Sequence, residues 1–210
     1  MRTLSGRFSA TASLFIALAA APALAGNQLE EAMSHSVRAA LHKAVSDQSA
    51  PLLAFASTGE ARAWLDGMSS KLERRMPDKA LREDFLVTVH YEAKRAGLDP
   101  QLVLGLIQVE SAFRKYAVSS AGARGLMQVM PFWARVIGDD NSNLFHLRTN
   151  LRFGCVILRH YIDIEKGDLY RALGRYNGSL GRAEYPNMVL AAWKQWEVAP
   201  TTAGVVKTGN

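Results

Sequence analysis

The sequence predicts an all-α protein. Three observations carry that expectation. Apolar residues recur three and four positions apart along most of the chain, period-two alternation is almost absent, and the periodic stretches are punctuated by helix-starting and helix-stopping residues. At 210 residues, 49% hydrophobic and 21% charged, the chain has enough apolar material for one well-formed core.

The first 25 residues stand apart. Arg2 and Arg7 precede an apolar, alanine-rich run from Ala10 to Ala21, and Ala23-Leu24-Ala25 follows Pro22. A basic start, a short apolar stretch and a small-x-small site predict a leader cleaved after Ala25, hence an exported, periplasmic protein. The run is short for a membrane anchor. The only cysteine, Cys155, lies far from that site, so no thiol stands there to carry a lipid. A lone cysteine makes no internal disulfide, and inside a helix it reads as a small buried hydrophobe.

Residues 28–45 predict a first, weakly patterned helix. Residues 58–75, with Ala61, Trp64, Leu65, Met68 and Leu72, predict a second. This N-terminal segment, 26–75, carries no motif to which chemistry attaches. Asp78 is placed to cap a third helix with Leu81, Phe85, Val89 and Ala93 on one face, and Gly97 to end it. Asp99-Pro100 reads as N-cap and first residue of a fourth, running to Phe113. Gly122 and Gly125 mark a loop before a helix over 126–137, followed by helices over 150–166 and 168–175. Pro186 opens the last helix, through Trp193 and Trp196. The expected division is leader 1–25, helical segment 26–75, a main domain 76–197 and a loose tail 198–210.

On the fourth helix, Glu110 shares a face with Val103, Leu106, Ile107 and Phe113, where an ionised carboxylate is costly. Periodicity leaves two readings open: a structural glutamate paired with an arginine, or a carboxyl group kept protonated by burial. The second would suit a general acid, as in glycoside cleavage.

The residues that follow carry further information. Glu110-Ser111-Ala112-Phe113 leads to Ala117-Val118-Ser119-Ser120-Ala121-Gly122-Ala123-Arg124-Gly125-Leu126-Met127-Gln128-Val129-Met130-Pro131, and Arg175-Tyr176-Asn177-Gly178 comes later. These blocks, in this order, resemble the signature of the soluble-type (SLT) lytic transglycosylases, which share a goose-lysozyme-like helical fold. The resemblance covers residues 78–196. It departs from the usual pattern in Asn177-Gly178-Ser179, where Asn-Ala-Gly is more common, and in the bulky Phe132-Trp133 after Met130-Pro131. Asn177-Gly178-Ser179 also matches a glycosylation acceptor, taken as accidental in a chain with a bacterial signature.

The resemblance implies peptidoglycan as partner and a one-acid reaction without metal or other cofactor. Glu110 would protonate the oxygen joining N-acetylmuramic acid to N-acetylglucosamine, and the substrate's acetamido group would stabilise the developing cation. Glu110 would then deprotonate the muramoyl 6-hydroxyl, giving a 1,6-anhydro end. Ser119, Gln128, Met130, Tyr176 and Asn177 would bind substrate, with the Tyr176 hydroxyl near the acid. Gln128 can donate to and accept from a sugar, and Met127 and Met130 would form adaptable walls or simply fill the core. Gly122 and Gly125 would let the backbone turn tightly.

Asp139, Asp140 and Glu184 read as solvated loop and cap residues rather than as a second catalytic acid. The histidines are scattered, so no metal cluster is expected. No basic tract with interleaved aromatics points to nucleic acid. The formal charge is +6, and loss of Arg2 and Arg7 with the leader would leave 23 basic against 19 acidic side chains, or +4. That mild excess fits a carboxylate-rich partner. A muramidase on the same fold, and a module that binds glycan or a secretion-system or cell-wall protein without cutting, stand as alternatives.

Overall fold

The computed structural model describes residues 28–46, 49–139 and 142–197. The expected leader and tail, and Asp140, lie outside them. Among the described residues the regular structure is helical: α1 (His35–Ser46), α2 (Thr58–Leu72), α3 (Lys79–Arg95), α4 (Pro100–Ser111), α5 (Phe132–Ile137), α6 (Leu147–Ile164), α7 (Leu169–Tyr176) and α8 (Glu184–Trp196). The expected all-α class is what the molecule shows.

Helix starts are capped by side chains, at Asp78 and Asp99 as the sequence predicts and also at Asp168. Asp78 accepts from the Leu81 N–H at 3.0 Å, Asp99 from Gln101 at 2.6 Å and Asp168 from Arg171 at 3.0 Å. Ser57 does the same for α2, accepting from Glu60 at 3.2 Å. Pro186 sits in the first turn of α8, two residues inside its start, where its missing N–H still costs no helical bond.

The helix α4 is the axis of the core. Leu102, Val103, Leu104, Leu106 and Ile107 are all buried, so apolar neighbours surround it rather than line one stripe. Its most extensive partner is α8. Gly105 sets the closeness of that crossing, because a Cβ there would lie 2.6 Å from the Trp193 backbone nitrogen. At its end the chain reverses through Ala112 and Phe113, both left-handed at φ 50° and 66°. Phe113 is thereby turned back into the core, edge-on to Phe85 and Trp196.

Three expectations need correcting. Residues 28–34 are not helical; α1 begins at His35, after Ser34 accepts from the Val37 N–H at 3.3 Å. Residues 126–131 form turns instead of the start of α5. Gln128 is left-handed at φ 48°, Pro131 has no N–H to give, and short bridges pair Arg124 with Val118 and with Val129. Leu81, expected on the buried face of α3, is 66% exposed.

The helices before residue 76 belong to the same core. Val45, Trp64, Leu65, Met68 and Leu72 are buried with the residues of α3 to α8. Buried Glu92 on α3 gathers Arg95, Arg148 and Arg152 at 3.1, 3.4 and 2.9 Å. Arg95 and Arg152 in turn donate to the carbonyls of Ala44 and Val45 at the end of α1. Cys155 is buried in α6, as a small hydrophobe would be.

Candidate active site

Glu110 occupies the last turn of α4 and is 2% exposed. Among the described residues no cation pairs with it; the ion pairs gather on Glu92, Glu165 and the surface. The structural-ion-pair reading is therefore not what the fold builds. The Tyr185 hydroxyl, at the start of α8, donates to Glu110 Oε1. The other oxygen, Oε2, is buried without a hydrogen-bond partner. Burial raises the Glu110 pKa to about 8, against the opposing hydrogen bond from Tyr185. The group is thus an uncharged acid at neutral pH, with one oxygen fixed and one free. No second carboxylate contributes to that shift. Asp139 and Glu184 are exposed, as solvated loop and cap residues would be.

The loop from Ala117 to Pro131 is tied to the acid's surroundings through Tyr176, whose hydroxyl donates to the Met127 carbonyl and feels the Glu110 carboxyl. Gly122 and Gly125 have φ of 86° and 78°, and a Cβ on Gly125 would lie 2.4 Å from Asn150 Nδ2. Asn150, buried on α6, clamps the loop: its Nδ2 donates to Arg124 O and Leu144 O at 2.9 and 2.8 Å. Its Oδ1 accepts from the Met127 N–H at 2.8 Å. The Met127 side chain is fully buried against Gly154, so core packing is its role.

The expected site residues divide by what they touch. Ser119 accepts from the Ala123 N–H at 3.1 Å, closing its own turn. The Gln128 side-chain nitrogen donates to the carbonyls of Gly125 and Ala117 at 2.9 and 3.2 Å, so it braces the loop. Met130 is half-buried. Asn177 donates to Ser179 Oγ at 3.0 Å and holds a buried Oδ1 without a partner. Tyr176 donates to the Met127 carbonyl at 2.7 Å, so the hydroxyl that holds the acid belongs to Tyr185 instead. Tyr176 is nonetheless close by. Burial lifts its pKa well above the ordinary phenol range, and the Glu110 carboxyl adds to the lift.

Three residues escaped the sequence reading. Tyr185 and Asn150 each occupy a buried helical stripe with a polar tip, Tyr185 with Val189, Ala192 and Trp196 on α8, Asn150 with Gly154, Ile157 and Tyr161 on α6. That is the signal that marked Glu110, and it was present for both. The third, Gln28, carried no signal. Its side chain is buried, with Nε2 donating to the Gln128 carbonyl at 3.2 Å and Oε1 accepting from the Met130 N–H at 3.1 Å.

A buried carboxylic acid on the central helix of an all-α frame is consistent with a lysozyme-like helical domain. Comparison with known proteins agrees. Residues 88–188 match the family described as the transglycosylase SLT domain. Over 98 residues it is 35% identical to a transglycosylase of Enterobacteria phage PRD1, covering 47% of this chain and 36% of the phage protein. Over 56 residues it is 57% identical to the membrane-bound lytic murein transglycosylase C of Actinobacillus pleuropneumoniae serotype 5b, covering 27% of this chain and 14% of that protein. A 50-residue match to the protein of the same name from Haemophilus influenzae (strain PittEE) is 48% identical and covers 24% and 14%. The chain thus spans about a third or less of these relatives' own lengths.

Proposed function

We propose that this protein is a lytic transglycosylase that cleaves the MurNAc-β-1,4-GlcNAc bond of peptidoglycan without water, with Glu110 as its acid and base. The observation that carries the reading is the setting of Glu110: a carboxyl group 2% exposed, one oxygen held by Tyr185 and the other without a partner, so that burial lifts its pKa to about 8, with no other carboxylate among the described residues contributing to that shift. The names of the similar proteins support the same chemistry.

Tyr185 occupies Oε1 as a donor, so the acid's proton resides on Oε2, the oxygen without a partner. From there it passes to the glycosidic oxygen as the bond to the anomeric carbon breaks. The glycan's own 2-acetamido group stabilises the developing cation in place of a second carboxylate. Glu110, now ionised, is stabilised by the Tyr185 hydrogen bond and accepts the proton of the muramoyl 6-hydroxyl as that oxygen attacks the anomeric carbon. Ser119, Met130, Tyr176, Asn177 and the Gln128 backbone shape the seat for the sugars.

Export by the leader over 1–25, and action in the periplasm on the wall, complete the reading. Among the described residues no helix is long and apolar enough to cross a membrane. The residues proposed to act on substrate all lie within 76–197, and the segment before them packs into the same core.

Mass spectrometry of products from purified peptidoglycan tests the reaction. Anhydro ends, about 18 Da lighter than hydrated ones, are expected from wild type and not from Glu110→Gln. Hydrated reducing ends would make the enzyme a muramidase, and products from both proteins would remove Glu110 from the chemistry.

A further inference from the structure

The segment ahead of α1 carries no motif and precedes the matched residues 88–188, yet one of its side chains is deeply buried. Gln28 is 3% exposed, while residues 29–32 that follow it are exposed. Its amide forks onto two backbone groups of the 117–131 loop. Nε2 donates to the Gln128 carbonyl at 3.2 Å, and Oε1 accepts from the Met130 N–H at 3.1 Å. Among the described residues neither group has another hydrogen-bond partner. This stretch needs holding, because Gln128 is left-handed at φ 48°, a conformation that is costly for a residue with a Cβ and persists only where its surroundings enforce it.

The fork completes a set of restraints on four successive residues. Asn150 takes the Met127 N–H at 2.8 Å, and Tyr176 donates to the Met127 carbonyl at 2.7 Å. Val129 is paired both ways with Arg124 at 3.0 Å, and Gln28 takes the groups on either side of it. The backbone from Met127 to Met130 is thus held by α6, by α7 and by the segment ahead of α1 together. The same segment grips the residue before Tyr176, since Glu31 pairs with Arg175 at 2.6 Å. Tyr176 in turn senses the acid: the Glu110 carboxyl adds to the rise of its pKa, and the Gln28 amide opposes that rise. We propose that Gln28 is a positioning residue for the cleavage reaction, its amide fixing the Gln128–Met130 backbone and, through it, the register of Tyr176 against Glu110. This rests on reading Glu110 as the acid of a lytic transglycosylase. Loss of the fork leaves two backbone groups unpaired and lets the left-handed turn relax. A small displacement of aligned groups slows the chemical step, so the loss falls on kcat rather than on KM.

The test uses the full chain on soluble, uncross-linked peptidoglycan strands, with products followed by mass spectrometry. Gln28→Met keeps the buried volume and loses both hydrogen bonds. It is expected to lower kcat about tenfold with KM within about twofold, while the protein still melts above the assay temperature. Gln28→Glu supplies a rescue that depends on pH. Protonated, its carboxyl group has an O–H to donate and a C=O to accept, and rebuilds the fork; ionised, it can only accept. Its kcat relative to wild type at the same pH is expected to approach one near about pH 5 and to fall to about a tenth by about pH 7.5. A purely structural role would lower Tm and leave that ratio flat. Gln28→Met with kcat within about twofold of wild type, or a flat Gln28→Glu ratio, would overturn the positioning role, while anhydro ends from wild type keep the transglycosylase reading. If Gln28→Met does not fold, the Gln28→Glu ratio decides alone. No cutting by wild type would sink both.

Discussion

If Glu110 is neutral because it is buried, its replacement by glutamine should reveal a pH-dependent cost of keeping it. The side chain titrates near 8 in the fold against 4.5 as an ordinary carboxyl. Between those values the unfolded chain has lost the proton and the folded chain retains it, so folding stability falls as pH rises. The contribution is fully present below about 4.5 and is lost as pH passes through about 8. Each unit is worth about 1.4 kcal/mol, so from pH 5 to pH 8 the wild type gives up at most about 4 kcal/mol through this group. Glutamine has nearly the same shape, its carbonyl accepts the Tyr185 hydrogen bond, and it does not titrate. Urea denaturation followed by circular dichroism should find Glu110→Gln close to wild type at pH 5 and more stable by several kcal/mol at pH 8.5. His90, held down near 4 by burial with Lys94 adding to it, disfavours acid in both proteins alike and cancels in the difference. A difference that stays constant within about 0.5 kcal/mol across that range would refute the claim that burial keeps this acid protonated.

Three further outcomes follow from particular contacts. Tyr185→Phe removes the bond that holds the Glu110 pKa down and later stabilises its carboxylate; the alkaline limb of the pH–rate profile should move above about 8 and kcat should fall on the order of tenfold or more, whereas an unmoved limb would take Tyr185 out of the mechanism. Glu92→Gln leaves Arg95, Arg148 and buried Arg152 without their shared counter-charge, and should cost about 3–5 kcal/mol in urea unfolding. Gly105→Ala drives a methyl into the backbone of α8 at Trp193, and should cost about 1–3 kcal/mol, read as a lower Tm.

What could be read from the chain, and what could not, divides along a physical line. Helix starts were legible at Asp78 and Asp99 because these side chains act on N–H groups two or three residues away. Glu110 was legible because a carboxylate interrupting an apolar stripe is a local contradiction. Tyr185 and Asn150 pose the same contradiction more quietly, since a tyrosine or asparagine on a buried face is less costly than an acid. The region 126–131 was misread as helix because its apolar residues have helical spacing, while its turns depend on a left-handed Gln128 and on Asn150 from α6 taking the Met127 N–H. Gln28 could not be found at all. Its partners lie 100 and 102 residues away and are backbone atoms, which carry no residue-type signature.

The arginines around Glu92 have a consequence for how this protein can be rearranged. Because Arg95 and Arg152 bind the last carbonyls of α1, a chain cut ahead of α3 would expose two guanidinium groups built to face backbone, along with the apolar face left by Trp64, Met68 and Leu72. The segment before residue 76 is therefore no detachable cassette. Grafting residues 76–197 onto another carrier, or inheriting them by recombination at that junction, would succeed only if the incoming partner supplied both a carbonyl-bearing helix end and an apolar cover.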